Sequence, residues 1–398
     1  MGSPLRGLHL VDVEVARSAR KHGWFNEGIL HALRTRFTSS QAPAGTSPSV
    51  PTTPVVYLES SGQATAQRSR DENRIAARSL RLSTDAVTDA EPPPWVDPWC
   101  RQHLGSAPLE TLMRSEQMSS VVAVRLADGR PVVLKRRESE GSREAVCLAV
   151  QAALARRGLP VATPLTPVST TSEGGREVAV HAEAWVPGGS IMRGDSPGEA
   201  GPSARLLARF MASLADLSAI GDPDPPPYWL GWAYGDADPW PHKPWLAARD
   251  PSLVPSWVTD VARRVTARII DADLPRVLGH GDWEAQNLRW DSSTPVVVHD
   301  WDSLALVPEA TVVGAASGAF ASAEVPTLAP IASSLAFLDA YQRERGRTFS
   351  DQEMQVAWAA SLWPAAHNAR GELLFGHPPV ASVRLGDQYV ARLQLAGA

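Results

Sequence analysis

One segment contains the residues whose types and spacing could do chemistry: Leu278–Ser303, which reads LGHGDWEAQNLRWDSSTPVVVHDWDS. In it Asp282 and Asn287 stand five residues apart, and Asp300 follows after two short β-rich runs. Carboxylate and amide oxygens are hard ligands, and Mg²⁺ takes one or two of them from a protein and completes its shell with water and phosphate. The segment therefore predicts a magnesium–phosphate site in which Asn287 and Asp300 hold the metal and Asp282 lies on the adjoining loop.

A hairpin between Asn287 and Asp300 would bring these two side chains together. The runs 288–290 and 296–299 are β-like, and the residues between them are typical of a turn. A simple hairpin with its midpoint after residue 293 sets Asn287 directly opposite Asp300, about 4.5–5.5 Å away. Asp302 falls on the same side of the strand if the strand stays extended.

The elements upstream of this segment follow the order hairpin, helix, strand and Gly-rich connector. Asp128-Gly129, between two β-rich runs, is a strong hairpin signal. Lys135 stands on the second of these runs and is one of only three Lys in a chain with 35 Arg. The predicted elements are strands at 121–126 and 131–136, a helix at 142–157, a strand at 177–186 with its connector 187–189, and helices at 204–219 and 257–271.

Together with that order, His280-Gly281-Asp282, Asn287 and Asp300 resemble the catalytic core of the aminoglycoside phosphotransferase and choline kinase-like family. The resemblance extends over roughly Cys100–Leu393, about three quarters of the chain. That family shares the protein-kinase-like fold, so the resemblance implies an α+β, bilobal fold with a small β-rich N-lobe and a larger, mostly helical C-lobe.

The predicted domain organisation is a kinase-like domain at 95–398 behind an N-terminal extension at 1–94. Within the domain, the N-lobe spans about 100–186 and the C-lobe about 190–398. The extension has a helical pattern around 11–37, a Pro/Ser/Thr tract and the breaker EPPP at its end, which are typical of linkers. Nothing in its residues indicates a function.

The resemblance also implies a role for each residue of the motif. Asp282 would be the catalytic carboxylate, which orients the acceptor hydroxyl and takes its proton. Asn287 and Asp300 would hold Mg²⁺ against the phosphates of ATP or GTP. Lys135 would contact the α- and β-phosphates, and Glu144, early in the following helix, would pair with Lys135 and hold it in place.

Further residues are expected around these groups. The backbone of Ala184–Val186 would be the hinge that meets adenine. His280 is expected to hold the catalytic loop in place rather than to act as a base. Trp283 and Glu284 follow the catalytic carboxylate, where they bear on the shape of the substrate. Asp302 is open between a role beside the metal and a helix cap.

Charge offers one indication of the acceptor. Residues 190–398 hold 24 Asp and Glu against 16 Lys and Arg, whereas residues 1–189 hold 19 against 22. An acidic C-lobe would favour a cationic acceptor such as an aminoglycoside or another amine. The alternative is an ordinary solvated acidic surface.

Two stretches of the C-lobe could contribute acceptor contacts. The Pro- and Trp-rich stretch 221–256 is long enough to be a functional loop, and an aromatic face can stack on a sugar ring or hold a cation. At least one of its Trp residues could therefore line the acceptor pocket: Trp229, Trp232, Trp240 or Trp245. A polar helical run at 358–372 offers His367, Asn368 and Glu372.

Composition argues against several classes of protein. The net charge of −5 is unlike the basic footprint of a nucleic-acid binder. Cys100 and Cys147 cannot build a disulfide framework or a cysteine-rich metal site, which fits a reduced cytoplasmic compartment. The first twenty residues carry five charged side chains and no apolar signal core. The uncharged stretches 310–323 and 325–338 are too short to span a membrane and predict buried structure.

The leading hypothesis is an ATP- or GTP-dependent, Mg²⁺-dependent O-phosphotransferase that acts on a small-molecule hydroxyl acceptor. No nucleic-acid or membrane partner is expected. A kinase of an endogenous metabolite differs from an antibiotic-modifying enzyme only in its acceptor pocket, and a nucleotide-binding regulatory pseudokinase is a further alternative. The acceptor, the choice of ATP or GTP and the oligomeric state are left open.

Overall fold

The structure is a computed structural model that describes residues 91–398, apart from 117–118, 231–237, 241–245 and 247. The predicted extension at 1–94 therefore lies outside the described residues except for its last four. Those four form coil and the start of a turn that leads into the first described helix.

The N-lobe is built on a five-stranded antiparallel sheet with the strand order β1-β2-β3-β5-β4. The predicted hairpin is formed by β2 and β3 around Asp128-Gly129, and alternate apolar residues of the sheet pack against Trp99 and Cys100 of helix α1. The elements are α1 (Val96–Leu104), β1 (Pro108–Glu116), β2 (Ser120–Leu126), β3 (Pro131–Glu138), α2 (Arg143–Arg156), β4 (Ser169–Glu173) and β5 (Arg176–Ala184).

The C-lobe is mostly helical, with two small antiparallel pairs of strands, β6 with β9 and β7 with β8, at the start of its core. Its elements are α3 (Pro197–Leu214), α4 (Ser256–Asp271), β6 (Arg276–His280), β7 (Leu288–Asp291), β8 (Thr294–Val298), β9 (Leu304–Pro308), α5 (Glu309–Ala319), α6 (Ile331–Arg345), α7 (Asp351–Ala360), α8 (Trp363–Phe375) and α9 (Ala381–Ala396).

Helix α5 lies at the centre of the C-lobe, and every one of its residues is buried. Its composition of Ala, Gly, Val and Ser makes this possible, because small side chains let neighbouring backbones approach closely. A Cβ atom at Gly314 would collide with the carbonyl oxygen of Ala357 on α7, and one at Gly318 would collide with that of Ser361. The predicted buried structure at 310–323 is thus confirmed.

Two predicted helices have different bounds. The helix predicted at 204–219 begins earlier, at Pro197, because Ser196 accepts a hydrogen bond from the Gly198 N–H and the proline fits the first turn. The run predicted as one helix at 358–372 is divided between α7 and α8. Pro364 lies in the first turn of α8, where its missing N–H costs nothing.

None of the helices in the described part of the chain is both long enough and apolar enough to cross a membrane.

Candidate active site

A histidine at the end of β6 fixes the loop that follows it. The Nε2 atom of His280 lies 2.9 Å from the carbonyl oxygen of His299, and its Nδ1 accepts the backbone N–H of Asp282 at 3.2 Å. Because Nδ1 accepts, the proton lies on Nε2, and burial lowers the pKa of this imidazole. The structure thus places His280 as a bridge between the Asp282 loop and the strand β8.

Asn287 holds Asp282 from the other side. Its Nδ2 donates to the carbonyl oxygen of Asp282 at 2.9 Å and to Oδ2 of the same residue at 2.8 Å. Both acceptors are oxygens, so the amide NH₂ faces Asp282, and the amide oxygen of Asn287 points elsewhere. This oxygen is the ligand that a Mg²⁺ ion would use.

The hairpin between these residues differs from its predicted register. Leu288 pairs with Val298, and the His299 N–H donates to the carbonyl oxygen of Asn287 at 2.8 Å. Asn287 therefore faces His299, and its predicted pairing with Asp300 is wrong. The two-residue turn is Ser292-Ser293, with Ser292 at φ +55°, so its midpoint lies one residue earlier than predicted. A register shift between Arg289 and Trp290 recovers one of the two residues by which the pairing would otherwise differ from the prediction.

Asp300 is carried into the site by its backbone. It adopts the left-handed conformation, with φ 59° and ψ 47°, which Asp tolerates better than most residues. The chain then forms a 3₁₀ turn at Trp301–Ser303, so the condition under which Asp302 would share a side with Asp300, an extended strand, is not met. Strained conformations of this kind concentrate at functional sites.

Asp282 and Asp300 are close enough to influence one another. The pKa of Asp282 is raised to about 6: burial is the largest cause, the charge of Asp300 adds to the rise, and the hydrogen bond from Asn287 opposes it. Two carboxylates in one site repel unless a cation lies between them. The described residues contain no cluster of three or more His, Cys, Asp or Glu side chains that could hold a metal. The amide oxygen of Asn287 and the carboxylate of Asp300 are donors of the type that Mg²⁺ takes beside phosphates, so these two residues could hold it.

Lys135 has a different partner from the one predicted. Its Nζ lies 3.2 Å from Oε1 of Glu183, and both side chains are largely buried, with exposures of 11% and 3%. The predicted pairing of Lys135 with Glu144 is wrong. Oε1 of Glu144 accepts the Glu140 N–H at 2.8 Å, and its Oε2 is buried without a hydrogen-bond partner.

The position of helix α2 explains this difference. Arg143, the first residue of α2, is 2% exposed and donates to the carbonyl oxygens of Leu304 at 2.7 Å and Pro225 at 2.8 Å. It also donates to the carbonyl oxygen of Asp302 at 2.5 Å. These bonds tie the first turn of α2, which includes Glu144, to the C-lobe.

Glu183 is a site residue that the sequence reasoning missed. It lies on β5, where His181 is the register partner of Lys135, and a long side chain can reach the residue two positions from its direct partner. The β3–β5 pairing was the signal that could have found it. Burial opposes the ionisation of Glu183, but the Lys135 ammonium and the hydrogen bond with His181, 3.1 Å away, lower its pKa below the ordinary value.

The predicted hinge begins where β5 ends. The Ala184 N–H donates to the carbonyl oxygen of Thr163 at 2.8 Å, whereas Val186 follows the strand and lines the cleft. Gly189 has φ +75°, and a Cβ there would lie 2.9 Å from Cβ of Arg289, so the connector passes β7 too closely for a side chain.

Three residues that flank the catalytic motif have mainly structural contacts. The Trp283 indole is buried and donates to Oγ of Ser203 at 3.0 Å. Glu284 is buried and accepts a hydrogen bond from Gln286 at 2.7 Å, and burial followed by the charge of Asp282 raises its pKa well above the ordinary value. The carboxylate of Asp302 forms an ion pair with Arg137 instead of a helix cap, and its role beside the metal stays a prediction.

These groups meet in one cleft of about 940 Å³. Lys135, Asp282, Asn287 and Asp300 all line it, and the hinge after β5 forms one wall. This arrangement brings an ammonium group, two carboxylates and an amide together around a space large enough for a nucleotide and a small molecule.

Only some of the predicted acceptor residues line the cleft. Trp229, His367 and Asn368 line the cleft. Glu372 does not, because it caps helix α9 by accepting the N–H groups of Val380, Ala381 and Ser382 at 2.7–3.1 Å. Trp240 is buried away from the cleft, and Trp232 and Trp245 lie outside the described residues.

Comparisons with known proteins match this geometry. The model of a phosphotransferase enzyme family matches residues 111–346. A search of curated protein sequences gave no match. Among solved structures, amicoumacin kinase in complex with AMP-PNP, Ca²⁺ and Ami has a TM-score of 0.51 and 12% identity, over 84% of this chain and 96% of that one. This similarity confirms the predicted α+β, bilobal kinase-like fold.

Two further structures are similar at lower scores. A thermostable mutant of aminoglycoside phosphotransferase APH(4)-Ia, in a ternary complex with ADP and hygromycin B, has a TM-score of 0.49 and 14% identity, over 76% of this chain and 99% of that one. The macrolide 2′-phosphotransferase of Brachybacterium faecium has a TM-score of 0.45 and 18% identity, over 70% of this chain and 97% of that one.

Proposed function

The chain belongs to the phosphotransferase enzyme family, and from this premise we propose that it moves the γ-phosphoryl group of ATP or GTP to a hydroxyl group of a small molecule in a Mg²⁺-dependent reaction. The observation that carries the proposal is the position of Asp282. Asn287 holds it at 2.8 Å in the same cleft as Lys135 and Asp300. Complexes of similar structures with AMP-PNP and ADP support a nucleotide in this cleft.

In the proposed reaction, Asp282 is the general base. Its carboxylate accepts the proton of the acceptor hydroxyl while the hydroxyl oxygen forms a bond to the γ-phosphorus. The bond from that phosphorus to the β,γ-bridging oxygen breaks, and the nucleoside diphosphate leaves with the electron pair. A positioned base of this kind contributes about 10²–10⁴-fold in rate. The raised pKa of Asp282 makes its carboxylate a stronger base at neutral pH.

The other residues neutralise charge and fix geometry. Lys135 would place its ammonium against the α- and β-phosphates, with Glu183 holding its side chain in position. Asn287 and Asp300 would hold the metal. Mg²⁺, when bound, neutralises charge on the phosphate oxygens, which is most of what phosphoryl transfer needs from its catalyst.

The test is the release of nucleoside diphosphate from ATP and from GTP, with and without Mg²⁺, against hydroxyl-bearing amines, sugars and antibiotics. Asp282→Asn should lower kcat by at least about 100-fold, the lower limit for a lost general base. Asp291→Asn is the matched control, because Asp291 is an exposed residue of the same hairpin. If Asp282→Asn leaves phosphoryl transfer unchanged, the assignment of the base is wrong.

The same assay separates the alternatives. Transfer to an endogenous amino alcohol or sugar, and to no antibiotic, would favour a metabolite kinase. Nucleotide binding without transfer to any acceptor would favour a regulatory pseudokinase. We place the reaction in the cytoplasm, and the two buried thiols, Cys100 and Cys147, support this because both are unpaired.

A further inference from the structure

Four ring side chains that line the cleft, Tyr228, Trp229, Trp363 and His367, are named here the aromatic wall. Tyr228, Trp229 and His367 are partly exposed, whereas Trp363 is almost fully buried. The Tyr228 ring lies 5.2 Å from that of Trp229 and 6.1 Å from that of His367, measured between centroids, and the rings of Trp363 and His367 are 6.4 Å apart. The Trp363 indole donates to the carbonyl oxygen of Trp229 at 2.6 Å, and this bond attaches the segment around Trp229 to helix α8.

The aromatic wall adjoins the proposed base. Tyr228 lines the same cleft as Asp282, and its pKa is raised to about 12 by burial and then by the charge of Asp282. Leu230, two residues further on, packs against Gly281, because a Cβ at Gly281 would lie 2.6 Å from a methyl group of Leu230. A molecule seated on the wall would therefore have its near edge beside Asp282.

Two nitrogen atoms of the wall lack partners. Nε1 of Trp229 and Nδ1 of His367 are buried and have no hydrogen-bond partner. Burial, followed by the charge of Arg370, lowers the pKa of His367 to about 4, so its ring is neutral near pH 7. Unpaired buried polar groups are rare in folded proteins. Because both atoms are inaccessible to solvent, a ligand on the wall would contact these two residues through their exposed ring surfaces and not through these nitrogens.

The carboxylates of the cleft are already in use. Among the described residues, five line it: Glu183, Asp282, Glu284, Asp300 and Asp302. Glu183 is paired with Lys135, and Asp302 with Arg137. Asp282 and Asp300 are the proposed base and metal ligand, and Glu284 is buried beside Gln286. Among the residues that the structure describes, the cleft therefore supplies no carboxylate dedicated to a cationic acceptor.

We propose that the acceptor is recognised through an aromatic ring that stacks on the aromatic wall, with its hydroxyl directed to Asp282, and that a positive charge on the acceptor is not required. This inference rests on the proposed function and names the acceptor class of the same site. Stacked and edge-to-face rings gain more than their buried area alone provides. The wall holds no ionised group near pH 7, because the pKa of Tyr228 is raised and that of His367 is lowered.

Four small probes test the two variables separately. 1-Phenyl-1,2-ethanediol and 1,2-propanediol are neutral and differ by phenyl against methyl, and 2-amino-1-phenylethanol and 1-amino-2-propanol are the corresponding amines. Their dissociation constants are measured by ligand-observed NMR titration of the full chain in the presence of Mg²⁺ and AMP-PNP. We expect phenyl to tighten binding by about tenfold in both pairs, which corresponds to about 1.4 kcal/mol, and the amine to change it less.

Variants locate the effect. Trp229→Ala should remove the preference for phenyl, whereas Trp257→Ala should keep it. Trp257 is also partly buried on the C-lobe core, but it stacks on Tyr389 outside the cleft. Thermal unfolding of each variant verifies the fold. If Trp229→Ala does not fold, the comparison of phenyl and methyl probes on the wild-type protein and on Trp229→Phe still tests the proposal.

The possible outcomes distinguish a failure of the proposed acceptor subsite from a failure of the proposed function. Equal binding of phenyl and methyl probes, a preference set by the amine, or no binding of any probe overturns the aromatic wall as the acceptor subsite. AMP-PNP binding is measured on the same sample. If AMP-PNP binds and the phenyl preference is absent, only the inference fails. If AMP-PNP does not bind, the proposed function fails with it.

Discussion

The ion pair between Lys135 and Glu183 allows a quantitative prediction for Glu183→Gln. The two charges are 3.2 Å apart, with side-chain exposures of 11% and 3%. At an effective dielectric constant of about 20, this separation corresponds to about 5 kcal/mol of attraction. Removing one partner of a buried pair costs about 3–5 kcal/mol. Gln keeps one acceptor for the lysine, worth about 1 kcal/mol, so the expected loss of unfolding free energy near pH 7 is about 2–4 kcal/mol.

The loss should depend on pH in a defined direction. Burial opposes ionisation of Glu183, but Lys135 lowers its pKa below the value of about 4.3 in an unfolded chain. The ionised pair therefore stabilises the fold above that value, and the contribution is lost as the pH falls through the folded pKa. At pH about 3, the difference between wild type and Glu183→Gln should be smaller by about 2 kcal/mol.

Urea unfolding at the two pH values measures both quantities. Glu144→Gln is the control, because Glu144 is a buried glutamate of the same lobe without contact to Lys135. Nucleotide kinetics complete the test: Glu183→Gln should lower kcat/KM for the nucleotide by at least about tenfold, since an unheld lysine must be ordered again on binding. If Glu144→Gln lowers kcat/KM and Glu183→Gln does not, the reasoning is refuted, and Glu144 is the partner of Lys135 in the working enzyme.

Three substitutions test other parts of the structure. Gly314→Ala should cost about 1–3 kcal/mol of unfolding free energy by overpacking, whereas Gly371→Ala, a helical glycine with open space, should be neutral or stabilising; equal thermal shifts would contradict the close packing of α5. Glu372→Ala should lower stability by about 1–2 kcal/mol through the lost cap of α9 and leave acceptor KM unchanged; a raised KM would return Glu372 to the acceptor site. Asp300→Asn should keep the fold, because Asn tolerates the left-handed backbone, and should raise the Mg²⁺ concentration needed for half-maximal rate; an unchanged requirement would remove Asp300 from the metal site.

Local signals in the sequence predicted several elements of the fold, whereas the bilobal architecture was expected from the family resemblance. Asp128-Gly129 placed the β2–β3 hairpin, and periodic apolar residues placed α2 and α4 within one or two residues of their observed bounds. These features depend on neighbouring residues, so a single sequence contains them. The start of α3 was missed by seven residues, although Ser196 followed by Pro197 is itself a local cap signal.

The site was predicted less completely, because its geometry depends on small backbone departures. The opposition of Asn287 and Asp300 assumed an ideal hairpin with its turn midpoint after residue 293, whereas the turn is Ser292-Ser293 and the shift between Arg289 and Trp290 recovers only one of the two residues of difference. No residue type announces such a shift. Asp300 still enters the cleft because its backbone turns to positive φ at the strand end.

The partner of Lys135 depended on contacts between distant parts of the chain. Glu144 has the residue type and the helical position for the role, but Arg143 beside it is bound to carbonyl oxygens of the C-lobe. Those acceptors lie 82 and 161 residues away along the chain. A pattern read within one helix cannot contain that constraint.

The charge count is limited in the same way as a guide to the acceptor. A count over residues 190–398 gives an excess of eight negative charges, but a count does not distinguish a solvated carboxylate from one that is paired or occupied by the reaction. In the cleft, Asp302 is neutralised by Arg137 and Glu183 by Lys135, whereas Tyr228 and Trp229 present rings beside the proposed base. Recognition depends on the groups that face the ligand and are not already engaged in ion pairs within the protein. We therefore expect the acceptor to be recognised through an aromatic ring and not through a positive charge.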